Sequence, residues 1–467
     1  MMRVAVIGGG PAGYEAALTA ARLGAETTVI ERSGAGGSCV LYDCVPSKTL
    51  IVSSVAATTF RNGDAVGVMA VEPDEVGINL PAVHGRIRGL ALAQSADIHT
   101  SLTSAGVTVV AGSAALAAGA PGHLNRVLVA PVEGGPYSID AHVVLLASGA
   151  SPRVLPDAAP DGERILTWQQ LYDLEELPES LVVVGSGVTG AEFASAYQGM
   201  GVQVTLVSSR DRVMPQEDAD AARLITEVFA NRGMTVVANA RAVSVRNTGA
   251  GVLVTLADGR RIEASHALMT VGSVPNTDEL GAAAVGVMLG PAGHVLVDRV
   301  SRTNVPGIYA AGDCTGVLAL ASVAASQGRI AMWHALGQAV SPLDLNTVAA
   351  NIFTDPEIAS VGVGQAQIDD GSVPARSITL PLATNARAKM QGLSEGFVKI
   401  FARPVSGLVA GGVIVAPCAS ELILPITMAV TNRLTVHQLA EASTIYPSLS
   451  GSITEAARRL IEYHQAD

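Results

Sequence analysis

The chain has 467 residues, which at about 150 residues per domain predicts roughly three domains. Hydrophobic residues make up 49% and charged residues 15%, and this composition excludes a disordered chain. The 29 basic and 41 acidic residues give a net charge of −12 with no basic run, which excludes a surface that tracks nucleic acid. Four cysteines are too few for a disulfide scaffold, so any close pair needs a reactive explanation.

The apolar stretches are interrupted by proline, glycine or charge. Although the mean hydropathy is +0.39, we expect no stretch to reach the roughly 18 residues of a membrane span. The most apolar region, 408–428, contains Pro417, Glu421 and Pro425. The N-terminal residues resemble a first β-strand more than a signal peptide. These features predict a cytoplasmic protein with no integral membrane segment.

A glycine-rich turn follows the first predicted strand, residues 4–7. The three glycines of its G-x-G-x-x-G pattern are Gly8, Gly10 and Gly13. They permit a tight turn, a close approach of the backbone to a pyrophosphate, and close packing of the strand against the helix predicted over 14–23. The next predicted strand, 27–30, ends at Glu31, whose carboxylate is suited to a ribose hydroxyl pair. This segment predicts a first dinucleotide site.

Two cysteines lie shortly after this unit. Cys39 and Cys44 are five positions apart in the run Gly36 to Lys48. In a regular helix that separation is about 7.5 Å along the axis, beyond the usual disulfide spacing of at most about 7 Å. A disulfide between them therefore requires a distorted turn and would be readily reduced. The alternative is two buried structural thiols.

The glycine pattern recurs 177 residues later. After an apolar strand over 181–184, the glycines of the second copy are Gly185, Gly187 and Gly190. A following strand is predicted over 204–207. One such pattern could be an ordinary turn, but two in the same context predict two dinucleotides.

The second copy lacks the acidic residue of the first. Ser208 stands 18 residues after Gly190, as Glu31 stands 18 residues after Gly13, and Arg210 and Arg212 follow it. Without the carboxylate a 2′-phosphate is not repelled, and the guanidinium groups can pair with it. This pattern favours NADPH, with NADH possible, unless the arginines are only solvated surface residues.

These segments together resemble the flavoprotein disulfide reductases, the family of dihydrolipoamide dehydrogenase and glutathione reductase. The resemblance rests on the cysteine run and on four further segments, 144–150, 270–276, 303–313 and 353–362. It implies an α/β fold with two Rossmann-type domains and a C-terminal α+β dimerisation domain. It also implies FAD and no metal. Beyond the residues above, it assigns cofactor binding to Gly112, Ser148, Gly149, Gly272, Asp313, Leu320 and Ala321.

The same resemblance implies roles near the flavin. Cys44 would be the sulfur next to the flavin, and Cys39 the interchange sulfur. Lys48 and Glu192 would form an ion pair near flavin N5, where a cation also helps to accommodate a reduced flavin. The other two cysteines, Cys314 and Cys418, are expected to pack as small apolar residues.

The C-terminal acid–base pair of the family is replaced. Members that reduce disulfides carry a His-Pro-Thr-x-Ser-Glu type segment, whereas this chain has Tyr446 in place of the histidine and Gly451 in place of the glutamate. Tyrosine does not exchange protons easily at neutral pH, and losing the base typically costs thiol–disulfide turnover on the order of 10² to 10⁴. His437, nine positions before Tyr446, is expected to be a surface or structural residue.

Quinone reduction, unlike disulfide exchange, does not need a base that protonates and deprotonates a thiol. The sequence therefore predicts a homodimeric enzyme that passes hydride from NAD(P)H to FAD and two electrons on to a quinone, with Tyr446 in its site, and it resembles actinobacterial NAD(P)H:quinone reductases. Those relatives can lack one redox cysteine, whereas this chain keeps both. Two alternatives stay open: a disulfide reductase that uses Cys39 and Cys44, and a flavin-binding redox sensor.

The motif order predicts a discontinuous first domain. Residues 1–155 and 278–345 would bind FAD, residues 156–277 would bind NAD(P), and residues 346–467 would form the dimerisation domain. The natural electron acceptor has no motif in the sequence.

Overall fold

The first predicted strand is buried on both faces. The computed structural model of the chain describes residues 1–68, 76–118 and 124–465, with side chains as far as residue 461. In it the four residues Val4 to Ile7 are at most 5% exposed, as in the interior strand of a parallel sheet that is covered on both faces. The described strands are β1 (Arg3–Ile7), β2 (Glu26–Glu31), β3 (Thr108–Ala117), β4 (Asn125–Pro131), β5 (Tyr137–Ala141), β6 (Val143–Leu146), β7 (Ala150–Pro152), β8 (Ile165–Leu166), β9 (Ser180–Val184), β10 (Gln203–Val207), β11 (Thr235–Val237), β12 (Ala242–Asn247), β13 (Val252–Leu256), β14 (Arg261–Ala264), β15 (His266–Met269), β16 (Ser273–Pro275), β17 (Ile308–Ala310), β18 (Ala349–Ile352), β19 (Glu357–Gly362), β20 (Arg376–Pro381), β21 (Phe397–Ala402) and β22 (Val409–Ala416).

The helices alternate with strands in both glycine-motif segments. The described α-helices are α1 (Pro11–Arg22), α2 (Gly37–Leu41), α3 (Cys44–Arg61), α4 (Leu80–Ser104), α5 (Val188–Gly199), α6 (Ala219–Asn231), α7 (Ala321–Ala335), α8 (Gln365–Asp369), α9 (Ala386–Met390), α10 (Ala419–Leu422), α11 (Leu424–Thr431), α12 (Val436–Ala440) and α13 (Gly451–Gln465). Helix α1 begins three residues before the predicted start at Tyr14, because Pro11 fits the first turn, where no backbone N–H is required.

One compact unit comprises Met1–Thr49, His84–Arg153 and Gly272–Leu343. Its main sheet has the order β17-β6-β1-β2-β3-β4-β5, in which β17 to β3 are parallel and β3, β4 and β5 pair antiparallel. Helices α1 and α7 pack so closely that a Cβ on Gly328 would lie 2.2 Å from the carbonyl oxygen of Ala12. Apolar side chains fill both faces of the sheet.

The second unit comprises Leu50–Val83, Val154–Val271 and Asp344–Asp467. It contains a parallel sheet, β11-β10-β9-β15-β8, and an antiparallel sheet, β18-β19-β22-β21-β20. The first has the strand–turn–helix order of a dinucleotide-binding domain, and the second packs against α10 to α13. The predicted fold class, two Rossmann-type domains and a C-terminal α+β domain, is confirmed.

One helical stretch in the described part of the chain, Gly37–Arg61, has the length and composition of a membrane span. This finding differs from the expectation that every apolar stretch is too short. It is weak evidence for a membrane segment, since core helices of soluble proteins have the same composition and 39% of its apolar window is buried.

Candidate active site

The first glycine turn has no room for side chains at its two ends. Gly8 has φ +104°, and a Cβ on it would lie 2.2 Å from the carbonyl oxygen of Ala147. A Cβ on Gly13 would lie 1.8 Å from the carbonyl oxygen of Gly8. At Gly10, the N-cap of α1, a Cβ would meet only the Gly36 carbonyl oxygen at 3.9 Å. The turn is therefore tight within the protein but open above Gly10, as a pyrophosphate at a helix N-terminus requires.

Glu31 closes this turn from the end of β2. Its Oε2 accepts a hydrogen bond of 2.6 Å from the backbone N–H of Gly9, and its Oε1 accepts one of 2.7 Å from that of Ser33. These bonds fix the carboxylate beside the turn. This placement fits the predicted contact with a ribose hydroxyl pair.

The cysteine segment packs directly on the first turn. The Gly36 N–H donates to the carbonyl of Gly9 at 2.9 Å, and a Cβ on Gly37 would lie 3.0 Å from the Gly10 backbone. Gly36 and Gly37 have φ values of +93° and +57°, a conformation that glycine adopts at little cost. The two glycines allow the segment that carries the cysteines to pack against the dinucleotide turn.

The two cysteines lie on either side of a helix break. Cys39 is in α2, Cys44 is the first residue of α3, and Tyr42, with φ −135°, ends α2. The chain between the two cysteines is therefore not a regular helix. Both cysteines are free thiols, and a hydrogen bond between them, followed by burial, raises the pKa of Cys39 far above its ordinary value. The Cys39 sulfur is thus held as a protonated thiol at neutral pH.

The segment 303–313, one of the four that carry the family resemblance, contains β17 and ends at Asp313, eight residues before α7. Gly312 has φ +80°, and its N–H donates to Oε1 of the buried Gln327 at 2.8 Å. Burial raises the pKa of the next residue, Asp313. Leu320 is the N-cap of α7 and Ala321 its first residue, so their N–H groups lie at a helix N-terminus that favours negative charge.

Of the other predicted cofactor-binding residues, three lie next to strand ends and one lies inside a strand pair. Ser148 and Gly149 follow β6, and their carbonyl oxygens each accept a hydrogen bond of 3.0 Å from Asn276. Gly112 lies inside the β3–β4 pair, where a Cβ would come 2.4 Å from the carbonyl oxygen of Ala130. Gly272 has φ +97°, and its carbonyl accepts from the Arg153 N–H at 2.9 Å. The structure gives Gly112 a packing reason independent of any cofactor.

The second glycine turn repeats the geometry of the first. A Cβ on Gly185 would lie 2.3 Å from the carbonyl oxygen of Thr270, and one on Gly190 would lie 1.9 Å from that of Gly185. A Cβ on Gly187, the N-cap of α5, would meet no protein atom within 4 Å. The residues of both turns therefore fit a dinucleotide pyrophosphate.

Ser208 is fully buried. Its hydroxyl accepts from the Ser186 hydroxyl at 2.7 Å and from the Arg210 N–H at 3.2 Å, and it donates to the Arg212 carbonyl at 3.0 Å. Arg210 is exposed, whereas Arg212 folds onto the loop and donates to the Pro215 carbonyl at 3.3 Å. Of the two arginines, Arg210 has the guanidinium that is accessible to a ligand.

Glu192 is buried inside α5 at 4% exposure. Its Oε1 accepts a hydrogen bond of 2.9 Å from the backbone N–H of Phe353, and nearby the Ser195 Oγ accepts one of 3.1 Å from Asp355. These bonds orient a carboxylate that has little access to water. Lys48 lies four residues after Cys44 on α3, and its pairing with Glu192 stays a prediction.

The C-terminal segment contains no imidazole at the expected position. Tyr446 is 85% exposed, and Gly451 begins α13 with its N–H donating to the Ser448 Oγ at 3.2 Å. His437 lies on the exposed face of the short helix α12, as expected for a surface residue.

The two remaining cysteines differ. Cys314 is buried, as predicted, and burial raises its pKa to about 11. The expectation for Cys418 was wrong, because this residue is exposed. It has φ +56° at the N-cap of α10, and the next residue, Ala419, is fully buried again.

Sequence reasoning missed a contact within the site and a buried lysine outside it. The backbone N–H of Phe353 has no side-chain signature, so its bond to Glu192 is visible only in the fold. Lys399 carries a signal in composition: it is one of only three lysines among 29 basic residues, and it stands in a strand that is otherwise apolar.

Family comparisons match nearly the whole chain. A family model described as pyridine nucleotide-disulphide oxidoreductase matches residues 2–328, and the model of the dimerisation domain of this family matches residues 348–457. A Mycobacterium tuberculosis protein named NAD(P)H dehydrogenase (quinone) is 59% identical over 469 residues, which cover 100% of this chain and 95% of that protein. A dihydrolipoyl dehydrogenase from Chlamydia trachomatis is 31% identical over 454 residues, 97% of this chain and 95% of that protein.

Two solved structures are similar to this chain over nearly its whole length. The crystal structure of LpdA from Mycobacterium tuberculosis has a TM-score of 0.94 at 59% identity and covers 98% of this chain and 100% of that one. The HOCl-induced flavoprotein disulfide reductase RclA from Escherichia coli has a TM-score of 0.85 at 23% identity, with 98% and 99% covered, and shows a shared fold.

Proposed function

This chain belongs to the pyridine nucleotide-disulphide oxidoreductase family, and we propose that it is a homodimeric FAD enzyme that reduces a quinone with NADPH, while also accepting NADH. The observation that carries this proposal is the C-terminal segment, where an exposed Tyr446 and Gly451 stand in place of the acid–base pair. The name of the 59% identical relative, NAD(P)H dehydrogenase (quinone), supports the same acceptor class.

The proposed reaction balances without a thiol. The nicotinamide gives up a hydride, and the quinone takes up two electrons and two protons, one of which comes from solvent. When bound, FAD supplies the two-electron relay between these partners. The protein contributes the two glycine turns, Glu31 at one ribose, and Glu192 as a buried carboxylate whose orientation the Phe353 N–H fixes.

Cys39 is poorly suited to attack a disulfide at neutral pH. A thiol attacks a disulfide only as its thiolate, and the raised pKa of Cys39 keeps this sulfur protonated at neutral pH. A histidine base would remove that proton in a disulfide reductase. Tyr446 brings no imidazole to that position, so disulfide turnover should be slow.

The preference for NADPH rests on the turn after β10. Ser208 brings no negative charge, and the exposed guanidinium of Arg210 can form a charge-assisted pair with a 2′-phosphate. NADH lacks this phosphate but would bind through the same pyrophosphate turn.

The proposed dimer rests on the dimerisation-domain match and on exposed apolar residues. Ile445 and Tyr446 are 81% and 85% exposed, and Leu424 and Met428 on α11 are 58% and 54% exposed. Large apolar side chains exposed to this extent are typical of a surface that another chain covers. Analytical ultracentrifugation of the purified protein would measure its oligomeric state directly.

Steady-state assays test the proposed acceptor. The purified FAD-loaded protein is supplied with NADPH or NADH and with a naphthoquinone, lipoamide or glutathione disulfide. We expect rapid quinone reduction and slow disulfide reduction. Rapid disulfide turnover with negligible quinone turnover would overturn the proposal.

The second candidate is a disulfide reductase, and the retained Cys39–Cys44 contact is the observation that favours it. The variant Cys39→Ser separates the two functions. Quinone reduction should survive this change, whereas a disulfide reductase would lose its activity. If NAD(P)H fails to bleach the bound flavin under anaerobic conditions, a redox sensor becomes the better explanation.

A further inference from the structure

A buried lysine lies outside every site described above. Lys399, on β21, is 3% exposed, and its Nζ lies 2.9 Å from Asp218 Oδ2 and 2.8 Å from Asp220 Oδ2. Burial alone would lower the pKa of Lys399, but the hydrogen bonds to Asp220 and Asp218 outweigh it and the pKa is raised. The ammonium therefore remains charged in the interior, where a charge without partners is costly.

The two carboxylates belong to the N-terminus of α6. Asp218 is the N-cap of this helix, and its Oδ1 accepts from the N–H groups of Asp220 at 3.0 Å and Ala221 at 3.2 Å. Its other oxygen is bound to Lys399. The Asp218 side chain is 3% exposed, so one carboxylate links the helix cap to a strand 181 residues away in the chain.

The loop before α6 is anchored to the nucleotide turn in its middle and at its beginning. The Met214 N–H donates to the Ser186 carbonyl at 2.8 Å, and the Ser186 hydroxyl donates to Ser208 at 2.7 Å. Ser186 lies between Gly185 and Gly187 of the glycine pattern. The segment 209–217, which carries Arg210, is thus held by Ser208 at its beginning, by Ser186 at Met214 in its middle, and by Asp218 and Lys399 at its end.

No other cation among the described residues can take the place of Lys399 beside Asp218. Asp220 also pairs with Arg223 at 2.6 Å, and that guanidinium lies at the surface, 66% exposed. The Phe401 ring centre is 5.6 Å from Nζ. Among the described residues, Lys399 is the one cation that forms an ion pair with Asp218. A compact ammonium can bind two carboxylates in a space that is too small for the fork of an arginine.

We propose that Lys399 is a positioning residue for the nicotinamide dinucleotide: by holding Asp218 and Asp220 it fixes segment 209–217 so that Arg210 can bind the 2′-phosphate of NADPH. This inference rests on the proposed use of NADPH. It assigns a residue of the C-terminal sheet to nucleotide specificity, although the glycine turn itself is more than 200 residues earlier in the sequence.

The variant Lys399→Met tests the proposal, and Lys389→Met is its matched control, since Lys389 is an exposed lysine of the same domain. The Kd of NADP⁺ and of NAD⁺ is measured by calorimetry on the FAD-loaded proteins, next to KM and kcat for NADPH. For Lys399→Met we expect the Kd of NADP⁺ and the KM of NADPH to rise at least about tenfold, or about 1.4 kcal/mol. The kcat at saturating NADPH should stay within about twofold, and Lys389→Met should behave as the wild type.

A structural role alone predicts a different result. If Lys399 only stabilises the fold, Lys399→Met lowers the melting temperature but leaves the Kd of NADP⁺ unchanged in the folded protein, and this overturns the proposal. Should Lys399→Met not fold, Asp220→Asn provides the milder variant, because Asp220 is partly exposed and its loss leaves the Lys399–Asp218 pair intact. We then expect a smaller rise in the Kd of NADP⁺, and an unchanged Kd contradicts the proposal.

Arg210→Met separates this inference from the proposed function. If Arg210→Met leaves the Kd of NADP⁺ unchanged, the proposed NADPH site is wrong and the role of Lys399 falls with it. If Arg210→Met weakens NADP⁺ and Lys399→Met does not, only the positioning role is wrong. The binding measurement does not depend on the electron acceptor, so a failure of the quinone assay leaves it interpretable.

Discussion

The Ser186 hydroxyl donates a 2.7 Å hydrogen bond to the Ser208 hydroxyl, 22 residues further along the chain. In the first glycine motif the Gly9 N–H and Glu31 Oε2 occupy the same relative positions, also 22 residues apart, at 2.6 Å. The two copies thus use the same link between the turn and the end of the second strand. They differ in charge at that point, since one ends in a carboxylate and the other in a hydroxyl.

This difference predicts the effect of Ser208→Glu. A carboxylate here should repel a 2′-phosphate, and about 1.4 kcal/mol of repulsion suffices to raise the ratio of the NADPH KM to the NADH KM about tenfold. Ser208→Gln is the control, because its side chain has nearly the size of glutamate without the charge, so a difference between the two variants reports the charge alone. Steady-state kinetics with both nucleotides measure the ratio. An unchanged ratio in Ser208→Glu would show that the 2′ position lies elsewhere.

Gly187→Ala tests whether the second turn binds a pyrophosphate. An alanine Cβ at Gly187 meets no protein atom within 4 Å, and φ is −72°, so the fold should keep its stability. The methyl group would occupy the space where the pyrophosphate approaches the protein backbone, and the KM for NADPH should rise at least about tenfold, about 1.4 kcal/mol. Flavin content should not change.

Gly10→Ala is the matched change in the first turn. Its Cβ would also lie in open space, 3.9 Å from the nearest protein atom. We expect this variant to lose FAD on gel filtration while its melting temperature without FAD equals that of the apo wild type. If Gly187→Ala releases the flavin and Gly10→Ala does not, the assignment of the two sites is reversed.

Tyr446→His combined with Gly451→Glu should restore an acid–base pair. Gly451 can accept a side chain, since its nearest Cβ contacts, at 3.6 and 3.7 Å, are ordinary, and Tyr446 is exposed. A histidine exchanges protons near neutral pH, so lipoamide reduction should increase by about 10²-fold or more. Quinone reduction should be nearly unchanged. Tyr446→Phe serves as the control and should leave both rates at their wild-type values.

The alkylation of Cys39 should depend on pH. Its pKa is raised above the ordinary value near 9, so the thiolate is scarce at pH 7 and increases only as the solution becomes more alkaline. Mass spectrometry after brief iodoacetamide treatment of the reduced protein should show slow modification of Cys39 at pH 7 and faster modification at pH 10. Cys418 is the internal reference because it is exposed. Complete modification of Cys39 at pH 7 before Cys418 reacts would contradict the prediction.

The sequence alone determined the features whose residues lie close together in the chain. The two glycine patterns, Glu31 and the pair Cys39 and Cys44 each lie within about one βαβ unit, and local sterics require those residue types in any fold that contains the turn. The absence of the C-terminal histidine could also be found from the sequence, because a missing proton acceptor is a matter of residue type. The family and fold class followed from these motifs.

The tertiary structure decided which groups are accessible and which meet over long distances. It buried Ser208 and left Arg210 exposed, although both follow the same strand. It brought Phe353 to Glu192 over 161 residues and Lys399 to Asp218 over 181. Cys418 is exposed at the N-cap of α10, against the expectation that it packs as a small apolar residue. Such contacts depend on how separate elements pack, since the spacing of two residues along the chain does not fix their distance once the chain has folded.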